Sequence, residues 1–190
     1  MNEVLESGKI RAVGVSNFSP DQMDIFRSEA PLHTCQPPYN MFERDIEHKL
    51  MPYCKRNNIS LITYGALCRG LLSGKMSRDR EFKGDDLRNQ DPKFSEPRFS
   101  QYLEAVDRLD QLAKDKYGKR VIHLALRWLQ QKGSDFPLWG ARRPDQLDPV
   151  DGIDNWEIEP EDMIEIEQIL LDSIKDPIGP EFMSPPKRGS

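Results

Sequence analysis

Four short apolar or β-branched runs, each closed by a turn and followed by helix-forming sequence, limit the folds open to this chain more than any other feature. They are IRAVGV at Ile10–Val15, LHTCQ at Leu32–Gln36, ISLITYG at Ile59–Gly65 and FPLWGA at Phe136–Ala141. Strands separated by helices rather than by tight turns cannot pair as hairpins. They read as a parallel sheet covered by helices, an α/β architecture.

The intervening segments carry helix signals. Asn2–Ser7 is a short helical piece closed by Gly8. Ser19-Pro20-Asp21-Gln22 combines a capping serine, a proline at the first helical position and a glutamine that completes a capping box. Asp45 to Asn57 places Ile46, Leu50 and Tyr53 or Cys54 on one helical face, with Glu43, Asp45 and Glu47 as its polar first turn. Ser100–Tyr117 carries Leu103, Val106, Leu109 and Leu112 on one stripe, and Gly118 ends it. Val121–Gln131 is apolar over much of its surface. Arg142–Leu147 begins a further helix with Pro144 in its first turn, and Glu161–Leu171 is a final amphipathic one. Between Leu67 and about Phe99 runs a long irregular segment, of a kind that is functional or disordered. A first unit of residues 1–175 is followed by a loose tail, 176–190.

Composition narrows the partners. A net charge of -5 argues against non-specific nucleic-acid binding, which needs a basic footprint. No run reaches the roughly 18 apolar residues of a membrane span. The acidic start MNEVLESGK lacks a signal-peptide layout, so a cytoplasmic location is expected. Cys35, Cys54 and Cys68 fit no zinc spacing or disulfide framework and read as reduced, packed thiols.

Parallel α/β folds meet their ligands at the carboxyl ends of the strands. That rule selects Ser16 and Asn17, then Gln36, then Tyr64 and Gly65, then Gly140, Ala141 and Arg142. Serine, asparagine and glutamine offer directed hydrogen bonds, Tyr64 a flat face, and Arg142 and Arg143 a grip for phosphate at a helix start. The bland alternatives stand beside these. Ser16-Asn17 also suits a turn, and Gln36 a turn before Pro37-Pro38. Arg69 reads as a phosphate ligand or as a solvated loop charge. Trp139 reads as core or pocket wall, Trp128 as core, His48 as solvated and His123 as helix packing. His33 shares a face with Cys35 and invites a nucleophile reading, but no partner acid accompanies it.

The words GKIRAVGVSNFS, QPPYNMFERDIE, PYCKRNNISLITYGALCRGLLSGK and GARRPDQL, in that order, resemble the aldo-keto reductase family, closest to the bacterial branch related to potassium-channel β subunits. The resemblance implies a (β/α)8 barrel of the TIM type that binds NADP(H) and reduces small aldehydes and ketones. This chain would supply the C-terminal half, strands five to eight. It implies that Ser16 and Asn17 hold the nicotinamide carboxamide with Gln36 assisting, and that Tyr64 stacks on the ring. Gly65, Ala66, Leu67, Cys68, Arg69, Gly70 and Leu71 would follow the pyrophosphate. Gly140, Ala141, Arg142 and Gln146 would meet the adenosine phosphate. Pro149 and Val150 depart from the Glu-Asn pair often found beside adenine.

No residue here matches the family's catalytic Asp, Tyr, Lys and His, so none is assigned, and a truncated reading frame is one expectation. An opened barrel would uncover Val13, Val15, Leu61 and Ile62 and leave two strand edges, so self-association or a complementary N-terminal half is expected. A non-catalytic nucleotide-binding module and an inert fragment are the alternatives.

Overall fold

The computed structural model describes residues 1–183. Four parallel strands lie in sequential order: β1 (Gly14–Ser16), β2 (Thr34–Gln36), β3 (Ser60–Thr63) and β4 (Phe136–Pro137). Among the described residues six α-helices accompany them: α1 (Asn2–Glu6), α2 (Pro20–Glu29), α3 (Leu50–Arg56), α4 (Arg98–Tyr117), α5 (Val121–Gln131) and α6 (Pro160–Ser173). The parallel α/β layout expected from the alternation is present.

The strand register sorts the side chains onto two faces. Gly14 pairs with Thr34, Thr34 with Ser60, and Ile62 with Phe136, so these share one face with Ser16 and Gln36. The opposite face carries Cys35, Leu61 and Thr63, all buried against helices. Val13 and Leu61 were expected to lose their covering. Instead both are buried, because they belong to the helix-covered side. Val15 and Ile62 are half-buried.

The first strand is shorter and later than the apolar run suggested. The Val13 N–H donates to His33 Nδ1 at 3.1 Å instead of joining a ladder. The Val13 carbonyl accepts from His33 N–H at 2.9 Å. His33 is therefore a structural clasp at the strand start. Its neighbour Cys35 is buried beside Cys54, and all three cysteines are free.

Helix α2 begins as its sequence indicated. Ser19 Oγ accepts from the Gln22 N–H, and Gln22 Oε1 accepts from the Ser19 N–H at 2.8 Å. Helix α5 buries most of its surface, including Leu124, Leu126, Trp128 and Leu129, and leaves His123, Arg127 and Gln130 on its less covered side. It packs on α4 and β4. Just beyond α5, Asp135 Oδ2 accepts from the Leu61 N–H at 2.7 Å, and the Ser134 and Thr63 hydroxyls meet at 2.7 Å. These contacts seat β4 beside β3.

Three segments differ from their sequence reading. Asp45–Asn57 divides into a 3-10 turn at Asp45–Glu47 and the shorter α3. Pro144–Gln146 and Asp148–Gly152 form two 3-10 turns instead of a helix. Pro149 contributes no N–H to continue a helical ladder there. The start of the tail is docked on the body: the Ile178 N–H donates to the Tyr102 hydroxyl at 3.1 Å, just after Lys175, whose N–H donates to Gln101 Oε1 at 2.9 Å. Residues 184–190 of the expected loose tail lie outside the described residues. Among the described residues no helix is long and apolar enough to cross a membrane.

His123 gives the fold a pH dependence. Its Nδ1 accepts from the Arg120 N–H at 3.1 Å at the start of α5. Burial, then the charges of Arg120 and Lys119, hold its pKa below the ordinary value of 6.5. A histidine lowered in the folded state contributes stability above the unfolded pKa, and loses it as pH falls toward the folded one. Urea denaturation is expected to show lower stability at pH 5.5 than at pH 7.5, by an increment missing in His123→Gln. An equal drop in that variant overturns the assignment.

Candidate functional site

Three strand ends meet at one corner. Ser16 closes β1, and its hydroxyl donates to the Gln36 carbonyl at 2.9 Å. The Asn17 N–H donates to the same carbonyl at 3.3 Å. Asn17 adopts the left-handed region with φ 59°, which asparagine tolerates better than most residues. The Tyr64 hydroxyl donates to Asn17 Oδ1 at 3.1 Å. Beyond β3, the chain stays tied to the segment after β2, as the Tyr64 N–H donates to the Pro37 carbonyl at 3.0 Å. Ser16, Asn17, Gln36 and Tyr64 are thus assembled at one end of the sheet.

That arrangement sets what the corner can offer. With its carbonyl oxygen engaged by Tyr64, Asn17 presents its amide nitrogen, a donor of two hydrogens. The Gln36 side chain adds an acceptor and two donors beside it. The half-buried Tyr64 ring supplies a flat wall.

The next seven residues turn sharply. Gly65, Cys68, Arg69 and Gly70 all have positive φ, of 72°, 44°, 51° and 98°. Ala66, Cys68 and Leu71 are fully buried, and Leu67 packs against the core. The N–H groups of Ala66, Cys68 and Gly70 donate to the carbonyls of Leu138, Gly65 and Leu67 at 3.3, 2.8 and 2.9 Å. Those donors are spent inside the fold. The charged group that this loop offers to an anion is the guanidinium of Arg69.

Arg69 is not a solvated loop charge. Its side chain is 16% exposed, and its Nε lies 3.4 Å from Asp91 Oδ2. An Nη donates to the Phe182 carbonyl. Asp91 in turn faces Lys93, whose Nζ lies 3.2 Å from Asp91 Oδ1 and 2.8 Å from Glu43 Oε1. Asn40 Nδ2 donates to Glu43 Oε2 at 2.6 Å and to the Gly65 carbonyl at 3.0 Å. Asn40, Glu43, Asp91 and Lys93 are all buried. Burial opposes charge on Lys93, but the adjacent Cys68 sulfur and the Glu43 and Asp91 carboxylates outweigh it and raise its pKa above the ordinary value.

This buried network corrects the reading of Glu43 as part of the polar first turn of a helix. It also draws the Leu67–Phe99 segment into the core, with Phe94 and Phe99 buried and packed together. No periodicity could have exposed it, because Glu43 and Arg69 lie far from the Asp91–Lys93 turn in the chain. Asp91-Pro92 before Lys93 was the one local signal, a cap whose carboxylate accepts from the Lys93 N–H at 3.1 Å.

The fourth group of expected site residues follows β4. Gly140, Ala141 and Arg142 are exposed, and Gln146 is half-buried. Gln146 Oε1 accepts from the N–H groups of Arg142 and Arg143, at 2.5 and 3.1 Å. Those two backbone donors are therefore engaged within the turn, leaving the side chains for other partners. Arg143 Nε pairs with Asp145 at 3.0 Å. Arg142 approaches the long segment, since it assists Arg88 in holding Asp86 below the usual carboxylate range. Among the described residues no group of histidine, cysteine and carboxylates is arranged to hold a metal ion.

A family profile described as the aldo/keto reductase family matches residues 1–171. The aldo-keto reductase YhdN of Bacillus subtilis is 59% identical over 189 residues, which cover 99% of this chain and 57% of that protein. The Schizosaccharomyces pombe aldo-keto reductase yakc [NADP(+)] is 29% identical over 152 residues, covering 78% of this chain and 44% of that one. Among solved structures, the glycerol dehydrogenase AKR11B4 of Gluconobacter oxydans aligns with a TM-score of 0.88 and 49% identity. That alignment covers 96% of this chain and 55% of that one. The chain thus spans little more than half the length of YhdN and AKR11B4.

Gly65 is the tightest point of the loop. A Cβ there would lie 2.5 Å from Met183 Cε, and its φ of 72° disfavours any L side chain. Met183 can swing aside, but the backbone term remains, about 1–2 kcal/mol per residue. Gly65→Ala is expected to lose that much in urea denaturation, and adding Met183→Ala is expected to restore only the steric part. Full recovery in the double variant overturns the backbone argument.

Proposed function

The chain belongs to the aldo/keto reductase family, and on that premise we propose that it carries the dinucleotide-binding half, strands five to eight, of an NADP(H)-dependent oxidoreductase for small aldehydes and ketones. The observation that carries the proposal is the joined corner at the strand ends, where Tyr64, Asn17, Ser16 and Gln36 are linked by three hydrogen bonds.

The donor set fits a nicotinamide dinucleotide. The group supplies a hydride when bound. The Asn17 amide nitrogen and the Gln36 side chain match the acceptor and donor of a carboxamide. The Tyr64 ring, fixed through its hydroxyl to Asn17, is placed to stack on an aromatic ring and hold one of its faces. Arg69 and Arg142 are the cations for phosphate oxygens, with Gly65, Ala66, Leu67, Gly70 and Leu71 shaping the path between them. Gly140, Ala141 and Gln146 line the far end. The dinucleotide is read as NADP(H) from these arginines and from the relative named with NADP(+). No residue of this chain is assigned the proton transfer to the carbonyl oxygen, so its residues bind and orient.

On the same reading, residues 1–175 form one working unit. The exposed edges of β1 and β4, with Phe136 and Leu138 uncovered on the latter, take either a complementary half or a second copy. Sedimentation of the purified chain is expected to show association that deepens with concentration. A compact monomer at every concentration removes that part of the proposal.

The dinucleotide reading is tested by fluorescence titration of the chain with NADPH. Saturable binding is expected, and Tyr64→Ala is expected to weaken it by about five- to tenfold, the worth of a lost aromatic stack near 1 kcal/mol. A flat titration of the unmodified chain overturns the reading.

A further inference from the structure

We propose that Asp91, held in place by Lys93 and Glu43, is the positioning residue that presents the Arg69 guanidinium to a phosphate oxygen of the dinucleotide. The proposal rests on the reading that the Gly65–Leu71 loop meets that ligand.

The first argument is cost. Glu43, Lys93, Asp91 and Arg69 form an alternating row of four charges, three of them withdrawn from water. Glu43 Oε1, Lys93 Nζ, Asp91 Oδ2 and Arg69 Nε find no partner at hydrogen-bonding angles, so charge contacts alone satisfy them. Well-packed apolar residues would hold a core at least as firmly as such a set. A row of this kind earns an explanation beyond stability.

The second argument is where the row ends. At one end, Asn40 links Glu43 to the carbonyl of Gly65, where the loop begins. At the other, Asp91 takes the Nε edge of Arg69. Both ends of the row therefore meet the loop, at Gly65 and at Arg69. Lys93 sets one positive charge against two carboxylates, which leaves a net negative charge for Arg69 to answer through Asp91.

The third argument is direction. Arg69 and the preceding Cys68 are both in the left-handed region, a conformation that non-glycine residues hold only when the surroundings enforce it. With its Nε edge toward Asp91, the guanidinium turns an Nη outward. That donor already meets an acceptor oxygen, the Phe182 carbonyl at the chain's own C-terminal segment. The outward Nη is thus oriented toward an oxygen before any ligand arrives. A phosphate oxygen would replace a neutral acceptor with a charged one, which makes a stronger hydrogen bond.

A double-mutant cycle on the full chain tests the proposal, read by NADPH titration. Asp91→Asn keeps the side-chain shape and the Lys93–Glu43 pair. Asp91→Asn and Arg69→Ala are each expected to weaken binding by about tenfold, and the double variant by no more than Arg69→Ala alone. Additive losses, or unchanged binding in Asp91→Asn while the unmodified chain binds, overturn the positioning role. No binding by the unmodified chain overturns the dinucleotide reading itself. Should Asp91→Asn not fold, the unmodified protein labelled with 15N-arginine decides. The Arg69 Nε–H signal, identified by its loss in Arg69→Lys, is expected to exchange with solvent more slowly than those of exposed arginines before NADPH is added, and to shift on its addition. Exchange as fast as the exposed arginines overturns the proposal.

Discussion

An ammonium group sealed from water governs much of this molecule. Lys93 has no exposed surface, so its charge must be answered inside the protein, and the carboxylates of Glu43 and Asp91 answer it. Asp91 stands two residues before Lys93, but Glu43 comes from a distant part of the chain. Meeting that demand pulls the segment after β2 and the long connection before α4 against the turn that follows β3. The left-handed run at Cys68–Gly70 and the buried Asn40 are both settled in the process. Removing the ammonium would leave two buried carboxylates facing each other, a change far costlier than the loss of one surface ion pair.

Around that centre the packing is ordinary and explains the layout of the strand ends. The helix-covered face of the sheet holds the apolar and small side chains, and α5 seals the β3–β4 side with Leu124, Leu126, Trp128 and Leu129. With the sheet anchored from that side, backbone and side chains at its carboxyl end are free to bond with one another. The Gln36 carbonyl receives both Ser16 and Asn17 for this reason, and Tyr64 then closes on Asn17.

Much of the scaffold was legible from local pattern. The Ser19-to-Gln22 box, the apolar α5, the stripe of α4 and the order of the four strands all depend on neighbours in sequence. The residues gathered at the strand ends were legible too, because parallel topology alone selects them. What escaped depended on distant partners. Glu43 looked like one more acid in a helical turn, and Lys93 like one charge among many in a loop. Arg69 looked like a ligand or a surface charge, and Asp91, which draws it inward, lies well beyond it in the chain. Pro144 promised a helix, but Gln146 folded back onto the N–H groups of Arg142 and Arg143, and the segment closed into short turns. The strand β4 is two residues long because the chain leaves the ladder at Leu138, whose N–H still reaches the Thr63 carbonyl.

The two faces of the sheet carry unlike chemistry. Gly14, Ser16, Thr34, Gln36 and Ser60 line the side away from the helices, while among the paired strand residues Ile62 and Phe136 bring apolar bulk to it. Such a wall can be wetted. Hydroxyls and amides there exchange bonds with solvent at little loss, so whatever settles on this side must recognise polar groups instead of merely excluding water. Affinity for that side would then be governed by geometry, and a greasy but ill-fitting surface would gain little by resting on it.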